Sequence, residues 1–412
     1  MKISFPNPII TGSSPSRQGS VQGISMSRLA ALSACFLPVV CCGIDGIPVD
    51  YEPIEDGHVD FSFCYEDGEW NMGLIHETGG DPNDPADGSI RASELAPMIV
   101  RDQLVPTGGR GNRLTPALWS FLGVSAAESY WTLPENSAPG VVFAGFSVCD
   151  IFDAGAYLES DPRVNSTEKW TTVSLRNIEY VGKKSGGGKF SMWSTDSFGT
   201  PTVWMKTADG VDASDTYFVT AGGHSHPNLS FSALGLYAVT FDLTFYEGPG
   251  KTNPNTSPMV TYYFAVGTYW EWITRHFDPT NWFLNSVVGE QADPDKDGVP
   301  NVVEYASDLD PTVSDFSSFN ALYGKGIPQP SMSGQDFILK FPRRVAGSNS
   351  QIETQVETSE SLAPLSWLPS TGVSTSGPLR TGWETITHTR GVTSLNRLFF
   401  RLRVDLLNEI TY

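Results

Sequence analysis

Charge is scarce in this chain, and positive charge is scarcest. Only 17% of the 412 residues are charged, and 26 Lys and Arg face 46 Asp and Glu, a formal net charge of −20. An acidic surface of that size repels nucleic acid and anionic lipid and attracts cations, so nucleic-acid partners are not expected. Cysteine and histidine are also rare, at five and six residues. The familiar hydrolase signatures H-E-x-x-H and G-x-S-x-G do not occur. The glycine run "KKSGGGK" (183–189) lacks the GK[ST] ending of a phosphate loop and reads as a hairpin turn. No apolar run is long enough to span a bilayer.

What is present is Gly (40), Pro (29) and aromatic residues (12%). With the many Ser and Thr, that mixture suits an extracellular β protein better than a helical cytosolic enzyme. The length accommodates two or three domains, each with its own core. Cys35, Cys41 and Cys42 lie in "MSRLAALSACFLPVVCCGI", which begins at Met26 with Arg28 in a short n-region ahead of the apolar run. These are the proportions of a secretory signal, so residues 1–46 are expected to be a signal region with translation starting at Met1 or Met26. "LSAC" (32–35) matches a lipoprotein box, but its apolar run follows the box instead of preceding it. Loss of the signal leaves Cys64 and Cys149, which can form one disulfide or none.

Residues 47–267 alternate short β-like runs with turns, which predicts an antiparallel β-sandwich. In "HVDFSFCYEDGEWNMGLIHE" (58–77), a two-residue Asp67-Gly68 turn sets Tyr65 opposite Trp70, Phe63 opposite Met72 and Phe61 opposite Leu74. The apolar faces then agree. Further strands are expected at 141–148, 171–180, 189–194, 201–206, 216–220, 229–233, 236–246 and 259–266, with "YEGPGKTNPNTS" among the turns between them. Residues 268–312 change character: Trp270, Ile273 and Phe277 fall at helical spacing. Residues 313–412 return to a β pattern and are read as a second small β-sandwich.

Inside that helical linker lies "DPDKDGVPNVVE", with Asp293, Asp295, Asp297, Gly298, Val299, Asn301 and Glu304 at the positions of a twelve-residue calcium loop. Ca²⁺ takes six to eight hard oxygens, which is why carboxylates recur at positions one, three and five. Gly298 permits the sharp turn, the Val299 carbonyl is a ligand, and Glu304 closes the shell with both oxygens. The surrounding run "EWITRHFDPTNW" through "DPDKDGVPNVVEYASDLDP" resembles a single thrombospondin type 3 repeat, or an EF-hand-like calcium segment. It is also similar to the segment preceding the C-terminal β domain of many secreted proteins of Verrucomicrobia-like bacteria. Residues 313–412, with "ETSESLAPLSWLP" and "LFFRLRV", resemble that C-terminal domain.

"GGHSHPNLSF" (222–231) places His224 and His226 on one face of an extended strand. His58 and His76 stand at the open ends of the hairpin, and the register sets Val59 opposite His76 and His58 opposite Glu77. Strand-borne H-x-H is a common way to put two imidazoles on one ion. His58, His76, His224 and His226 are therefore the candidate ligands of Zn²⁺ or another transition metal. One difficulty is that the register puts His58 and His76 on opposite faces, in which case Glu77 substitutes. The competing reading makes the histidines turn residues bonded to backbone carbonyls.

Together with "YWTLPEN", "PGVVFAGFSV", "GGGKFSMWSTDSFGTPTVWMKTADG", "AGGHSHPNLSFSALGLYAVTFDLTF" and "TYYFAV", this hairpin resembles the choice-of-anchor M domain, the actinobacterial surface-anchored repeat. The resemblance covers about 58–266. It implies a cell-surface β domain working beside a metal-transport system, with the histidine positions as its site. The ending "VDLLNEITY" has no sorting motif, and one copy of the domain is present.

The expectation is a secreted or cell-surface, non-catalytic binding protein for a metal ion or small ligand, with no transmembrane span. The first alternative is a carbohydrate-binding or adhesion module, stacking sugars on Trp119, Trp131, Trp193 and Trp204. The second is an extracellular metal-dependent hydrolase, for which Asp60 or Glu77 is the acid to nominate.

Overall fold

The computed structural model describes residues 52–77, 90, 92–101, 104–105, 108–149, 163, 169–248, 252–317, 319–320, 324–345, 351–392 and 398–407. The segment read as a signal, with Cys35, Cys41 and Cys42, lies outside the described residues.

The chain is mainly β. The Asp67-Gly68 turn carries positive φ at both residues, 52° and 88°. That backbone twist matches the flanking strands and favours a two-residue hairpin. It joins Gly57–Glu66 to Glu69–Glu77 in the expected register, with Phe61 opposite Leu74, Phe63 opposite Met72 and Tyr65 opposite Trp70. Side-chain alternation then buries Val59, Phe61 and Phe63 completely. Phe61 packs on Tyr262 at 4.3 Å and on Phe146 at 5.0 Å between ring centroids. Each such pair adds roughly 0.5–1.5 kcal/mol beyond its buried area.

The other edge of Gly57–Glu66 pairs with Val142–Cys149, and that pairing is parallel. Met98–Val100 likewise runs parallel to Val260–Val266, and Ile54 bridges to Met98 in parallel, so the arrangement departs from a purely antiparallel sandwich. The short His224–Ser225 strand completes the hairpin sheet, antiparallel to Val142–Cys149. Cys64 is disulfide-bonded, and the parallel register sets its Cα level with that of Cys149.

A second sheet runs Pro201–Lys206, Phe190–Thr195, Asn228–Phe231, Ser129–Leu133, Gly108–Asn112 and Leu104–Val105. A third runs Thr216–Thr220, Trp170–Val181, Gly235–Gly248, Val260–Val266 and Met98–Val100. Every strand expected between 141 and 266 is therefore present. "YEGPGKTNPNTS" is not all turn, because Thr252–Thr256 pairs back onto Gly235–Gly248. Trp70 Nε1 donates to Asn255 Oδ1 at 3.1 Å, and the Thr244 and Thr256 hydroxyls meet at 2.9 Å. These polar contacts hold a strand that carries no apolar alternation.

Past Gly267, whose φ of 95° ends the strand, the chain forms helix Thr268–His276, a turn of helix Asn285–Val288 and helix Asn301–Ser307. This segment is not a free linker. Trp270, Ile273, Val302 and Tyr305 belong to the same apolar core as Phe61, and that core also takes Ile352, Val404 and Leu406 from the C-terminal strands. The C-terminal region has sheets of four and three strands around its own small cluster of Leu339, Phe341, Val356 and Ile386. Among the described residues no helix is long and apolar enough to cross a membrane.

Candidate metal centres

The hairpin sheet assembles the first centre. Strand alternation puts His58 and Asp60 on one face of Gly57–Glu66, while His224 and His226 arrive from the sheet edge, two strands away. His58 Nε2 lies 3.0 Å from His226 Nε2, and Asp60 Oδ1 lies 3.5 Å from the first and 3.6 Å from the second. An ion that binds nitrogen at about 2.0–2.1 Å in a tetrahedron has ligand–ligand edges of about 3.3–3.4 Å. The three observed separations bracket that edge, so the three atoms are spaced as one face of such a tetrahedron would be, while the two imidazole nitrogens are also within hydrogen-bonding distance of each other. His224 is more exposed, its ring 6.1 Å from that of His58 and 5.6 Å from that of His226, at the open side of the group.

The surroundings fix the inner imidazole. His226 stacks on Phe143 at 3.9 Å and 14° between ring planes. It lies so close to Val142–Cys149 that a Cβ at Gly145 would come within 2.4 Å of its Nδ1 and 2.6 Å of the Ser225 carbonyl. Glycine is required there by this approach. Burial, then the neighbouring imidazoles, push His226 down to about 4, against the attraction of Asp60. The ring is therefore neutral at physiological pH, which is the protonation state a metal needs. Asp60 is buried, and its Oδ1 has no hydrogen-bond partner among the described residues.

His76 does not join this group. It sits opposite Val59 as expected and so shares Val59's face, the opposite one from His58 and Asp60, with its Nε2 3.1 Å from the Asp56 carbonyl. Asp60 stands where His76 was expected. Sequence reasoning named Asp60 only as an acid for hydrolysis, although "HVD" carries the same i, i+2 signal as "HSH". Glu77 pairs with His58 in register, and its side chain lies outside the described residues.

The second centre is the acidic loop. Gly298 has φ 92° and Lys296 φ 65°, the turning geometry the spacing implied. The loop is also tied internally, since the Gly298 amide donates to Asp293 Oδ2 at 3.1 Å and the Val299 amide to Asp297 Oδ1 at 2.8 Å. Asp293, Asp295 and Asp297 each present a carboxylate oxygen within 4.8 Å of the others. Asp297, Glu304 and Asp315 do the same. Glu304 is fully buried, and neither of its oxygens has a hydrogen-bond partner among the described residues. Burial, then Asp295, Asp297, Asp315 and Asp293, raise its carboxyl to about 9. Burial also raises Asp295 and Asp315. Asn301, the loop's ninth position, is buried with its amide nitrogen on the carbonyls of Val287 and Gly289. Asp315 lies beyond the loop pattern, and nothing local in the sequence marks it.

The tryptophans nominated for sugar stacking are not available for it. Trp119, Trp131, Trp193 and Trp204 are all buried, and the last two donate to Ser230 Oγ and Ser194 Oγ, both at 2.9 Å. All four are packing residues, and Trp193 and Trp204 satisfy their indole N–H internally.

A scan against models of protein families returned no match for the chain, and a search of the curated proteins returned none.

Proposed function

We propose that the protein is a secreted or cell-surface, non-catalytic binding protein that holds one transition-metal ion on the hairpin sheet and one Ca²⁺ in its linker. His58, Asp60 and His226 are the inner ligands of the first ion, Zn²⁺ being the chemistry that suits two imidazoles and a carboxylate. His224 closes the fourth position or gives way there to a small ligand. The single observation that carries this reading is the triangle of 3.0, 3.5 and 3.6 Å between two imidazole nitrogens and a carboxylate oxygen.

Export is supported by the signal-like segment after Met26, the acidic surface and the disulfide at Cys64, since disulfides persist mainly in oxidising compartments. The resemblance of 58–266 to the choice-of-anchor M domain agrees with that placement and points to a surface metal-transport system as the partner. For the calcium site, Asp293, Asp295, Asp297, Asn301, Glu304 and the Val299 carbonyl form the ligand set. An extracellular loop of this kind binds at about 10⁻⁴–10⁻³ M.

The test is element analysis of the full chain purified without chelator, beside the His224→Ala/His226→Ala double variant. Wild type is expected to carry or take up near-stoichiometric zinc, copper or manganese, and the double variant to lose it. Equal metal content in the two proteins would refute the assignment and return the histidines to a structural role.

A further inference from the structure

In a twelve-residue calcium loop the ninth position completes the shell directly or through a water. Asn301 holds that position here: its amide nitrogen donates to the carbonyls of Val287 at 2.7 Å and Gly289 at 3.1 Å, and its buried Oδ1 has no hydrogen-bond partner among the described residues. The Tyr269 hydroxyl, which donates to the Val288 carbonyl at 3.2 Å, belongs to the same buried patch. Asn301 thus pins the Asn285–Val288 turn to the start of helix Asn301–Ser307. Asp315 approaches the loop from the far end of that helix. One of its oxygens lies within 4.8 Å of oxygens on both Asp297 and Glu304, and its buried Oδ1 has no hydrogen-bond partner among the described residues.

Resting on the calcium reading above, we propose that Asp315 is a further ligand of that ion, supplied from beyond the twelve-residue loop. Two oxygens bound to one Ca²⁺ at 2.3–2.6 Å can be at most about 5 Å apart, a condition these carboxylates meet. The independent sign of a cation is Glu304: a fully buried carboxylate with neither oxygen bonded among the described residues, in the group joined to the loop's aspartates through Asp297. Asp293, Asp295, Asp297, the Val299 carbonyl, Asn301 Oδ1, both Glu304 oxygens and Asp315 make about eight oxygens, the upper end of the range Ca²⁺ takes. Lys325 Nζ, 3.9 Å from Asp315 Oδ2, is too distant to replace a divalent ion.

The consequence is mechanical. Asp315 lies between helix Asn301–Ser307 and the first strand of the C-terminal sheets, Gln329–Ser333. The chain around it is already laced to the helix, with the Gly326 amide donating to the Ser307 carbonyl at 3.0 Å. An ion held from both sides fastens the C-terminal β region to the core of the sandwich.

The experiment uses the full chain, with Ca²⁺ calorimetry and Tb³⁺ luminescence lifetimes in H₂O and D₂O to count coordinated waters. Asp315→Ala and the similarly sized Asp315→Asn are compared with wild type and Glu304→Gln. The expected result is a Ca²⁺ affinity at least about tenfold weaker in both Asp315 variants, with one additional bound water in Asp315→Ala. Unchanged affinity and water count in the Asp315 variants, beside lost binding in Glu304→Gln, overturn the Asp315 assignment and leave the calcium loop standing. Absence of Ca²⁺ and Tb³⁺ binding in wild type at millimolar ion overturns both.

Discussion

The two centres are built in opposite ways. The acidic loop takes most of its ligands from residues 293–304, where local turn geometry alone brings them together. The histidine centre joins residues 58–60 to residue 226 across a parallel strand pair and a short edge strand. The loop therefore depends on contiguous sequence, and the histidine centre on sheet register. Their electrostatics differ too. Burial lowers His226 to about 4 and so prepares it for metal, whereas burial and neighbouring carboxylates raise Glu304 to about 9 and so make it hold a proton when no cation is bound.

The largest effect should come from the loop. Asp295→Ala with Asp297→Ala, or Glu304→Gln alone, is expected to abolish the calorimetric Ca²⁺ signal while leaving zinc affinity unchanged. Coupled loss of both metals would break the separation drawn here. Next in size, Gly145→Ala is expected to weaken zinc binding by on the order of tenfold in competition titrations, because the new methyl must displace His226 or the Ser225 carbonyl.

A third test follows the Glu304 proton. Below the ordinary carboxylate range both folded and unfolded states are protonated; above about 9 both are ionised. Between these limits only the folded, calcium-free state keeps the proton, so its stability falls as pH rises through that window. Ca²⁺ binding near pH 7 should release about one proton, read as a buffer-dependent calorimetric enthalpy. Buffer-independent heats would contradict a proton on Glu304. For His226 the sign is reversed in pH. The unfolded ring protonates first as pH falls below 6.5, so metal-free stability declines from there to about 4. The least effect is expected from His76→Ala, whose zinc affinity should stay within about threefold of wild type because that ring lies on the opposite face from His58 and Asp60, against the Asp56 carbonyl.

Much of this was legible in the sequence wherever the signal is periodic or contiguous. The Asp67-Gly68 turn and the alternation of Phe61 and Phe63 defined the hairpin register, and the Asp spacing defined the acidic loop and its turn at Gly298. Alternation along one strand cannot say which strand lies beside it, so the parallel partner Val142–Cys149 was not foreseen. The hairpin register already separated His76 from His58 by face; what it could not show is that the face of His58 and Asp60 is the one that meets His226 from the edge strand. Asp315 was invisible for a similar reason, because helix Asn301–Ser307 must form before it can return to the loop. The tryptophans show the reverse case, since their burial depends on packing partners such as the Trp119–Trp193 edge contact at 5.2 Å.

The central claim is that His58, Asp60 and His226 hold one transition-metal ion and His76 takes no part. The most direct measurement is zinc affinity of the full chain by competition titration for wild type, His226→Ala, Asp60→Asn and His76→Ala under one set of conditions. The account predicts at least about 100-fold weaker binding in His226→Ala, about tenfold or more in Asp60→Asn, and near wild-type binding in His76→Ala. Wild-type affinity no tighter than that of His226→Ala, or a loss in His76→Ala as large as in His226→Ala, would contradict it.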